Sequence, residues 1–194
     1  MPRNKVVCGI LLVGLTLSFW ARNGSAAPIL SIEPPSLLVQ LGKSFSLDVR
    51  ISGVVDLFAF QFDLAFDPLI LSAGSITEGP FLPSGGATAF IAGTVDSTAG
   101  TITATVDTLI GPIPGVNGSG VLASVDFQAL SVGTSPITLS DAILLDSDLN
   151  NIPFRIVNGG VTIPEPSAWL LLSTAGFGLL IWRHRCRRQP GRVQ

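Results

Sequence analysis

The alternation of hydrophobic and polar positions in the middle of the chain predicts β-strands. Residues 43–52, KSFSLDVRIS, alternate without a break, and residues 57–66, LFAFQFDLAF, repeat the pattern with almost only aromatic and leucine side chains on one face. Strict alternation is typical of a strand with one buried face. The inward positions predicted by these two segments are Phe45, Leu47, Val49, Ile51, Phe58, Phe60, Phe62, Leu64 and Phe66. A face as apolar as the second one belongs between two sheets.

Later segments continue this pattern to residue 163. GTITATVDTL predicts a strand with Ile102, Ala104 and Val106 inward, GVLASVDFQAL predicts another, and TSPITLS and RIVNGGVTI are shorter candidates. Turn-forming stretches separate them: FDP ending at Pro68, SGGA at 84–87, STAG at 97–100 and GPIPGVNGSG at 111–120. No segment shows a sustained helical period. Many short strands at regular spacing predict an all-β fold, a jelly-roll β-sandwich.

The N-terminal end has the pattern of a secretory signal peptide. Arg3 and Lys5 precede an apolar run over residues 6–20, and Ser25 and Ala27 are small residues in the spacing of a cleavage site. We therefore predict a signal peptide helix over 1–27, with cleavage after Ala27. The alternative is an uncleaved N-terminal anchor.

The C-terminal end predicts a single transmembrane helix. Residues 167–182 carry no charge, and as a helix they would span about 24 Å of a hydrocarbon core of about 30 Å. Four arginines follow within six residues: Arg183, Arg185, Arg187 and Arg188. The positive-inside rule keeps such residues in the cytoplasm and leaves residues 28–163 outside. The alternative, a buried core helix, does not account for the arginines.

Charge and residue types restrict what the predicted domain 28–163 can do. It holds three basic residues and twelve acidic ones, a formal charge of −9, so nucleic acid and anionic membranes are poor partners. It has no Cys or His, which excludes disulfides, zinc sites with nitrogen or sulfur ligands and the usual nucleophilic triads. It also lacks Trp and Tyr, the flat rings common on sugar-binding surfaces. These absences predict a domain that is not an enzyme.

In order and spacing, the strand segments resemble a cohesin domain over about residues 30–163. The residues that carry the resemblance are the aromatic strand ending in FDP, the segment SGVLASVDFQAL and the closing GGVTI. The resemblance implies a jelly-roll sandwich of about nine strands that binds dockerin modules without catalysis. It also implies that outward polar residues of the aromatic strand, here Gln61 and Asp63, form a candidate partner-binding face. The alternative for these two residues is an ordinary solvated strand face.

The last 31 residues resemble a PEP-CTERM sorting domain. Its parts are the block Pro164, Glu165 and Pro166, the apolar helix and the arginine cluster, which together make a sorting signal over 164–188 and leave 189–194 as a cytoplasmic tail end. The resemblance implies processing by exosortase, a membrane-embedded enzyme. The precursor would be anchored in the inner membrane and the product passed to the cell surface or exopolysaccharide matrix.

A metal site is a further candidate. Asp146, Asp148 and Asn150 stand at the i, i+2, i+4 spacing of a calcium loop, but Asn151 and Val157 occupy the places of the Gly and Glu that an EF-hand needs. An Asx-rich turn between strands fits the same residues without metal. No other cofactor is predicted.

Three functions without catalysis fit these features. The first is an exported adhesion module of the cell surface or matrix that binds a dockerin-type partner. The second is a carbohydrate-binding module acting directly on exopolysaccharide, and the third is a purely structural matrix protein.

Overall fold

The structure is a computed structural model that describes residues 26–165. These residues form eleven strands and one turn of 3-10 helix, Leu82–Ser84, between the fifth and sixth strands. The strands are β1 (Ile29–Glu33), β2 (Ser36–Leu38), β3 (Ser44–Leu57), β4 (Ala59–Ala65), β5 (Leu71–Glu78), β6 (Ile91–Asp96), β7 (Thr101–Thr108), β8 (Val116–Ala129), β9 (Gly133–Leu145), β10 (Arg155–Val157) and β11 (Gly159–Ile163). The predicted all-β sandwich is confirmed, with eleven strands rather than about nine.

The strands form two sheets. The five-stranded sheet has the order β10-β1-β3-β8-β5, and the six-stranded sheet has the order β2-β11-β9-β4-β7-β6. The long antiparallel pair of β3 and β8 runs from Ser44 opposite Gln128 to Leu57 opposite Val116 and forms the centre of the first sheet. In the second sheet β4 lies between β9 and β7, so the aromatic strand is central there.

The core lies between the sheets and consists of the alternating apolar positions. Leu47, Val49 and Ile51 of β3 are buried as predicted, and so are alternate residues of β4. Phe66, just after β4, packs its ring edge-on against Phe127 of β8, with the ring centroids 5.4 Å apart. This aromatic contact joins the two sheets.

The predicted inward face of β7 is wrong beyond its second residue. A β-bulge interrupts the pairing of β4 with β7, and Ala104 takes a positive φ of 57°. An extra residue in one strand reverses which side chains point inward from there on. Thr105 and Asp107 are therefore buried, whereas Val106 turns to the outer face.

The predicted turn over 111–120 is only half correct. Residues from Val116 onward belong to β8, where irregular pairing separates β8 from the end of β3. Two side chains replace the missing backbone bonds: Asn117 Oδ1 accepts from the Asp56 N–H at 2.9 Å, and Ser119 Oγ accepts from the Gly53 N–H at 2.9 Å. The sequence NGS at 117–119 is thus part of a strand.

Both ends of the domain cross from one sheet to the other. The chain passes from β1 in the five-stranded sheet to β2 in the six-stranded sheet at Pro34 and Pro35, and from β10 to β11 at Asn158. β1 pairs in parallel with β10, and β2 pairs in parallel with β11. These crossings divide the predicted segment RIVNGGVTI and the segment 29–38, which was not predicted, into four short strands.

The predicted transmembrane helix lies outside the described residues. The predicted signal peptide does so too, except for Ala26 and Ala27 before the cleavage site. Within 26–165, no helix has the length and apolar character needed to cross a membrane.

Candidate functional site

One row of side chains crosses the outer face of the six-stranded sheet. Gln61 of β4 lies opposite Val106 of β7 on one side and Ile143 of β9 on the other. Ile91 of β6 lies opposite Val106 in turn. We call these four residues, Ile91, Val106, Gln61 and Ile143, the cross-strand row.

The cross-strand row is apolar except at Gln61; its two isoleucines are exposed, whereas Val106 and Gln61 are half-buried. The exposed fraction is 62% for Ile91 and 42% for Ile143. A shallow depression of about 140 Å³ is lined by Gln61, Val106 and Ile143 together with neighbours in the same sheet, Ala59, Phe60 and Leu145. Contiguous apolar surface with a polar group at its centre is typical of a binding site.

The two residues predicted for the partner-binding face lie two positions apart on β4 and have different roles. Gln61 is the centre of the cross-strand row. Asp63 Oδ1 accepts a hydrogen bond from the Ala104 N–H at 2.8 Å, and this N–H belongs to the bulge of β7. Asp63 therefore supports the bulge that turns Val106 outward.

The other three members of the cross-strand row could not be found from the sequence. Val106 was predicted to point inward, and Ile91 and Ile143 lie in segments without a clear alternating pattern. The four residues are distant in the sequence and meet only because β6, β7, β4 and β9 are neighbours.

The outer face of the five-stranded sheet is polar and hydrogen-bonded to itself. Ser46 Oγ donates to Asp126 Oδ1 at 2.6 Å, and Ser75 Oγ donates to Asp126 Oδ2 at 2.5 Å. Both hydroxyls lower the pKa of Asp126 below its ordinary value, and the Ser46 hydroxyl has the larger effect. Ser124 donates in the same way to Asp48.

The candidate calcium residues form a hydrogen-bonded turn after β9. Asp146 Oδ1 accepts from the Asp148 N–H at 3.0 Å and from the Asn150 N–H at 2.8 Å. In residues 26–165 no group of three or more His, Cys, Asp or Glu side chains is placed to hold a metal ion. The Asx-turn alternative accounts for these contacts, and calcium binding by these residues is an untested candidate.

Asp56, which the sequence did not single out, joins three segments. At the end of β3 its Oδ1 accepts from the Gly115 N–H at 2.7 Å, and its Oδ2 accepts from the Ser147 hydroxyl at 2.7 Å and the Ser147 N–H at 3.2 Å. The Ser147 hydroxyl chiefly lowers the pKa of Asp56; burial opposes this, and the N–H groups of Gly115 and Ser147 add to the lowering. Asp56 thus ties the five-stranded sheet to the turn that follows β9.

Part of the predicted sorting signal can be placed. Pro164 and Glu165 directly follow β11, and Glu165 is exposed. Ala27, the predicted cleavage residue, is also exposed and stands two residues before β1. Pro166 and the four arginines, Arg183, Arg185, Arg187 and Arg188, lie outside the described residues.

A family model described as "Cohesin domain" matches residues 31–163. The chain belongs to the cohesin family. Cohesin domains are binding modules for other proteins and not enzymes, in agreement with the predicted class.

Solved cohesin structures share this fold at low sequence identity. A non-cellulosomal cohesin from the archaeon Archaeoglobus fulgidus is 17% identical, with a TM-score of 0.58, over 72% of this chain and 93% of that one. A cohesin in a cohesin–dockerin complex from Clostridium thermocellum is 18% identical, with a TM-score of 0.60, over 71% and 99%. A type II cohesin from Acetivibrio cellulolyticus is 15% identical, with a TM-score of 0.59, over 70% and 95%. The search among curated protein sequences found no match.

Proposed function

We propose that this cohesin domain captures a dockerin-type protein module on the outer face of the six-stranded sheet. The single observation that carries the proposal is the cross-strand row, an exposed apolar strip around Gln61 in a family of protein-binding modules. Working at the cell surface or in the exopolysaccharide matrix, such a module would join a second protein to that structure.

Related complexes support a partner of this class. The Clostridium thermocellum structure is a cohesin–dockerin complex, and a cohesin of an Acetivibrio cellulolyticus scaffoldin is solved with a dockerin. At 18% and 19% identity these relatives support the fold. The partner has to be inferred from the surface residues of this chain.

The chemistry of the face defines the partner further. The cross-strand row is apolar around Gln61, and Asp63 and Asp141 lie beside it on β4 and β9. Interface energy concentrates in a few well-packed central anchors, while charges at the rim act mainly on specificity and association rate. We therefore expect a partner with an apolar centre and basic groups at its rim.

Gln61→Lys and Gln128→Lys make a matched pair of variants that tests the proposal. Gln61 lies on the outer face of the six-stranded sheet, and Gln128 is exposed on the outer face of the five-stranded sheet. The same change on opposite faces separates binding from general charge effects. The measurement is capture of a panel of purified dockerin modules by the immobilised full chain.

We expect the unchanged chain and the Gln128→Lys variant to capture the same dockerin, and the Gln61→Lys variant to lose it. Equal capture by both variants would contradict the proposed face. A chain that binds no dockerin but binds purified exopolysaccharide would favour the carbohydrate-binding alternative, and binding to neither would favour a structural matrix protein.

Delivery by the predicted terminal signals is part of the same proposal. The Arg155 N–H donates to the Pro28 carbonyl at 2.9 Å, so cleavage after Ala27 would leave the first residue already held by β10. Pro164 and Glu165 follow the last strand at once, which puts the PEP block between the domain and the predicted membrane helix.

Both ends are tested by mass spectrometry of the protein recovered from cells and medium, which gives the termini directly. We expect an N-terminus at Pro28 and a C-terminus near the PEP block. Glu165→Ala should leave the full-length form in the membrane fraction, and normal release of that variant would argue against exosortase processing.

A further inference from the structure

One end of the sandwich carries a group of exposed apolar side chains. The exposed fractions of Leu41, Leu69, Leu130 and Val132 are 45%, 80%, 50% and 37%. These residues lie in the three loops that join β2 to β3, β4 to β5 and β8 to β9. We call the four residues the apolar tip cluster. Exposed apolar groups gathered in this way mark surfaces that contact another molecule or a membrane.

Backbone hydrogen bonds hold the three loops beside one another. The Gly42 N–H donates to the Ala129 carbonyl at 3.0 Å, and the Leu130 N–H donates to the Ile70 carbonyl at 2.8 Å. Each leucine of the apolar tip cluster takes part in one of these bonds or directly precedes a residue that does. The leucines are therefore displayed together on neighbouring loops that are tied to each other.

The chain leaves the folded domain at the same end. Ile163, the last residue of β11, lies opposite Gly133, which directly follows Val132. The uncharged run of the predicted transmembrane helix begins at Ser167, four residues after Ile163. Four residues reach at most about 14 Å when fully extended. The apolar tip cluster therefore stays close to the membrane surface for as long as this run is inserted.

The charges at the two ends of the domain also differ. The three loops hold one base, Lys43, which is exposed, and one acid, Asp67, which is half-buried and accepts from the Leu69 N–H at 2.9 Å through Oδ1. At the opposite end, exposed Val55 and Leu149 stand close in the sequence to three acids, Asp56, Asp146 and Asp148. Carboxylates are costly to bring to a lipid interface, whereas a lysine is tolerated there because its charged group reaches back to water.

We propose that the apolar tip cluster lies in the interfacial layer of the membrane while the C-terminal segment is still attached. This inference rests on the predicted transmembrane helix of the proposed function. The contact transfers exposed leucine and valine side chains out of water, which is favourable without any ionic attraction. It therefore suits a domain of formal charge −9. The domain would stand on this end, and the cross-strand row would remain open to a partner.

Spin labels attached to single cysteines test the contact. The full chain is produced in a host without exosortase and placed in phosphatidylcholine vesicles, with its two cysteines, Cys8 and Cys186, replaced by serine. Leu69→Cys and Leu130→Cys place labels in the apolar tip cluster. Val55→Cys is the matched control at the opposite end, because its exposed fraction of 63% lies between the values of 80% and 50% for Leu69 and Leu130.

The measurement compares collisions of each label with oxygen, which concentrates in the bilayer, and with a nickel complex, which stays in water. We expect labels at Leu69 and Leu130 to collide several-fold less with the nickel complex than the label at Val55, and more with oxygen. Raising the salt concentration should leave this difference unchanged. Adding Leu41→Ser and Leu69→Ser to the chain labelled at Leu130 should abolish it, whereas Val55→Ser in the same chain should not.

A label at Ala175→Cys, within the predicted helix, separates failure of this inference from failure of the membrane helix. If Ala175 is in the bilayer but Leu69 and Leu130 are as accessible to nickel as Val55, the inference is wrong and the helix stands. If Ala175 is in water, both are wrong, and dockerin capture is unaffected. Labels at Leu69 and Leu130 that are shielded from both reagents would mean that protein, either residues 167–182 or a second copy, covers the cluster instead of lipid.

Discussion

The two outer faces of this sandwich are built from similar alternating strands, but one face is polar and the other carries an apolar row. On the five-stranded sheet, serine hydroxyls donate to Asp126 and Asp48, so the polar groups already satisfy one another. On the six-stranded sheet, the cross-strand row presents isoleucine and valine side chains around Gln61.

The difference indicates which face binds. Covering the five-stranded face would remove water from charged carboxylates, which costs free energy even when their hydroxyl partners stay. Covering the cross-strand row removes mainly apolar surface from water, which is favourable at roughly 25 cal/mol per Å². Substitutions in the cross-strand row should therefore weaken partner binding, whereas substitutions on the outer face of the five-stranded sheet should not change it.

The largest effect is expected for Ile143→Asp. A charge on the apolar part of the cross-strand row, next to Gln61, should weaken partner binding about 100-fold, or roughly 2.7 kcal/mol, as for an interface anchor. Val157→Asp on β10 is the matched control, because Val157 lies opposite Ser31 on the outer face of the five-stranded sheet and the exposed fractions of Ile143 and Val157 are 42% and 44%. Calorimetric titration with the captured dockerin compares them, and equal losses would remove the distinction between the faces.

Asp56→Asn should destabilise the domain and leave affinity unchanged. Asn tolerates the positive φ of 59° at this position but loses the charge that three hydrogen bonds stabilise. We expect a loss of about 1–3 kcal/mol in the free energy of unfolding at pH 7. Urea unfolding of the chain measures it, and a weakened affinity in the folded variant would mean that Asp56 acts on the binding face itself.

The same variant has a defined pH dependence. The folded-state pKa of Asp56 is lowered, so its contribution is fully present above the unfolded value and is lost as pH falls through the folded value. The difference between the unchanged chain and Asp56→Asn should therefore shrink below about pH 4. If the difference in the free energy of unfolding stays constant down to pH 2, the negative charge of Asp56 does not stabilise the folded domain.

Asp63→Ala should lower both the stability of the domain and its affinity for the partner. The loss of affinity should be smaller than for Ile143→Asp, and the loss of stability should be at the low end of that for Asp56→Asn. Without the carboxylate, the N–H of Ala104 loses its acceptor, and the bulge that turns Val106 outward is less well held. We expect about 1 kcal/mol of stability to be lost and binding to weaken by roughly tenfold. Asp63→Asn keeps an acceptor oxygen and should stay close to the unchanged chain; if both variants behave alike, the bulge does not depend on this bond.

Asp126→Ala should have the smallest effect. The residue is exposed, and the hydroxyls of Ser46 and Ser75 can bond to water in its absence. We expect a slight decrease in the urea midpoint and less than about a twofold change in the dissociation constant. A large loss of binding would show that the polar face takes part in recognition.

The sandwich could be predicted because β3 and β4 alternate strongly. Leu47, Val49 and Ile51 face inward as expected, and the same holds for Phe60 and Phe62. The face of β7 could not be predicted beyond the bulge, because TITATV contains small and β-branched residues that fit either side. Nothing in those letters shows that Ala104 takes a positive φ.

The binding face was found only in part for a related reason. The resemblance to cohesins pointed to Gln61, but the side chains around it come from strands that only the tertiary fold brings together. Burial and the Glu78 carboxylate raise the pKa of Asp107 for a similar reason, since these two residues belong to opposite sheets. Local periodicity specifies which way a side chain points within its strand and not what it meets.

The parallel pairing of the terminal strands has a mechanical consequence. β1 lies alongside β10 and β2 alongside β11, each pair running in the same direction. If the two ends of the domain are pulled apart along these strands, the hydrogen bonds of both pairs are loaded in shear and carry the force together. A pull at right angles would break them one at a time. The domain would therefore resist tension best along the axis of its closing strands.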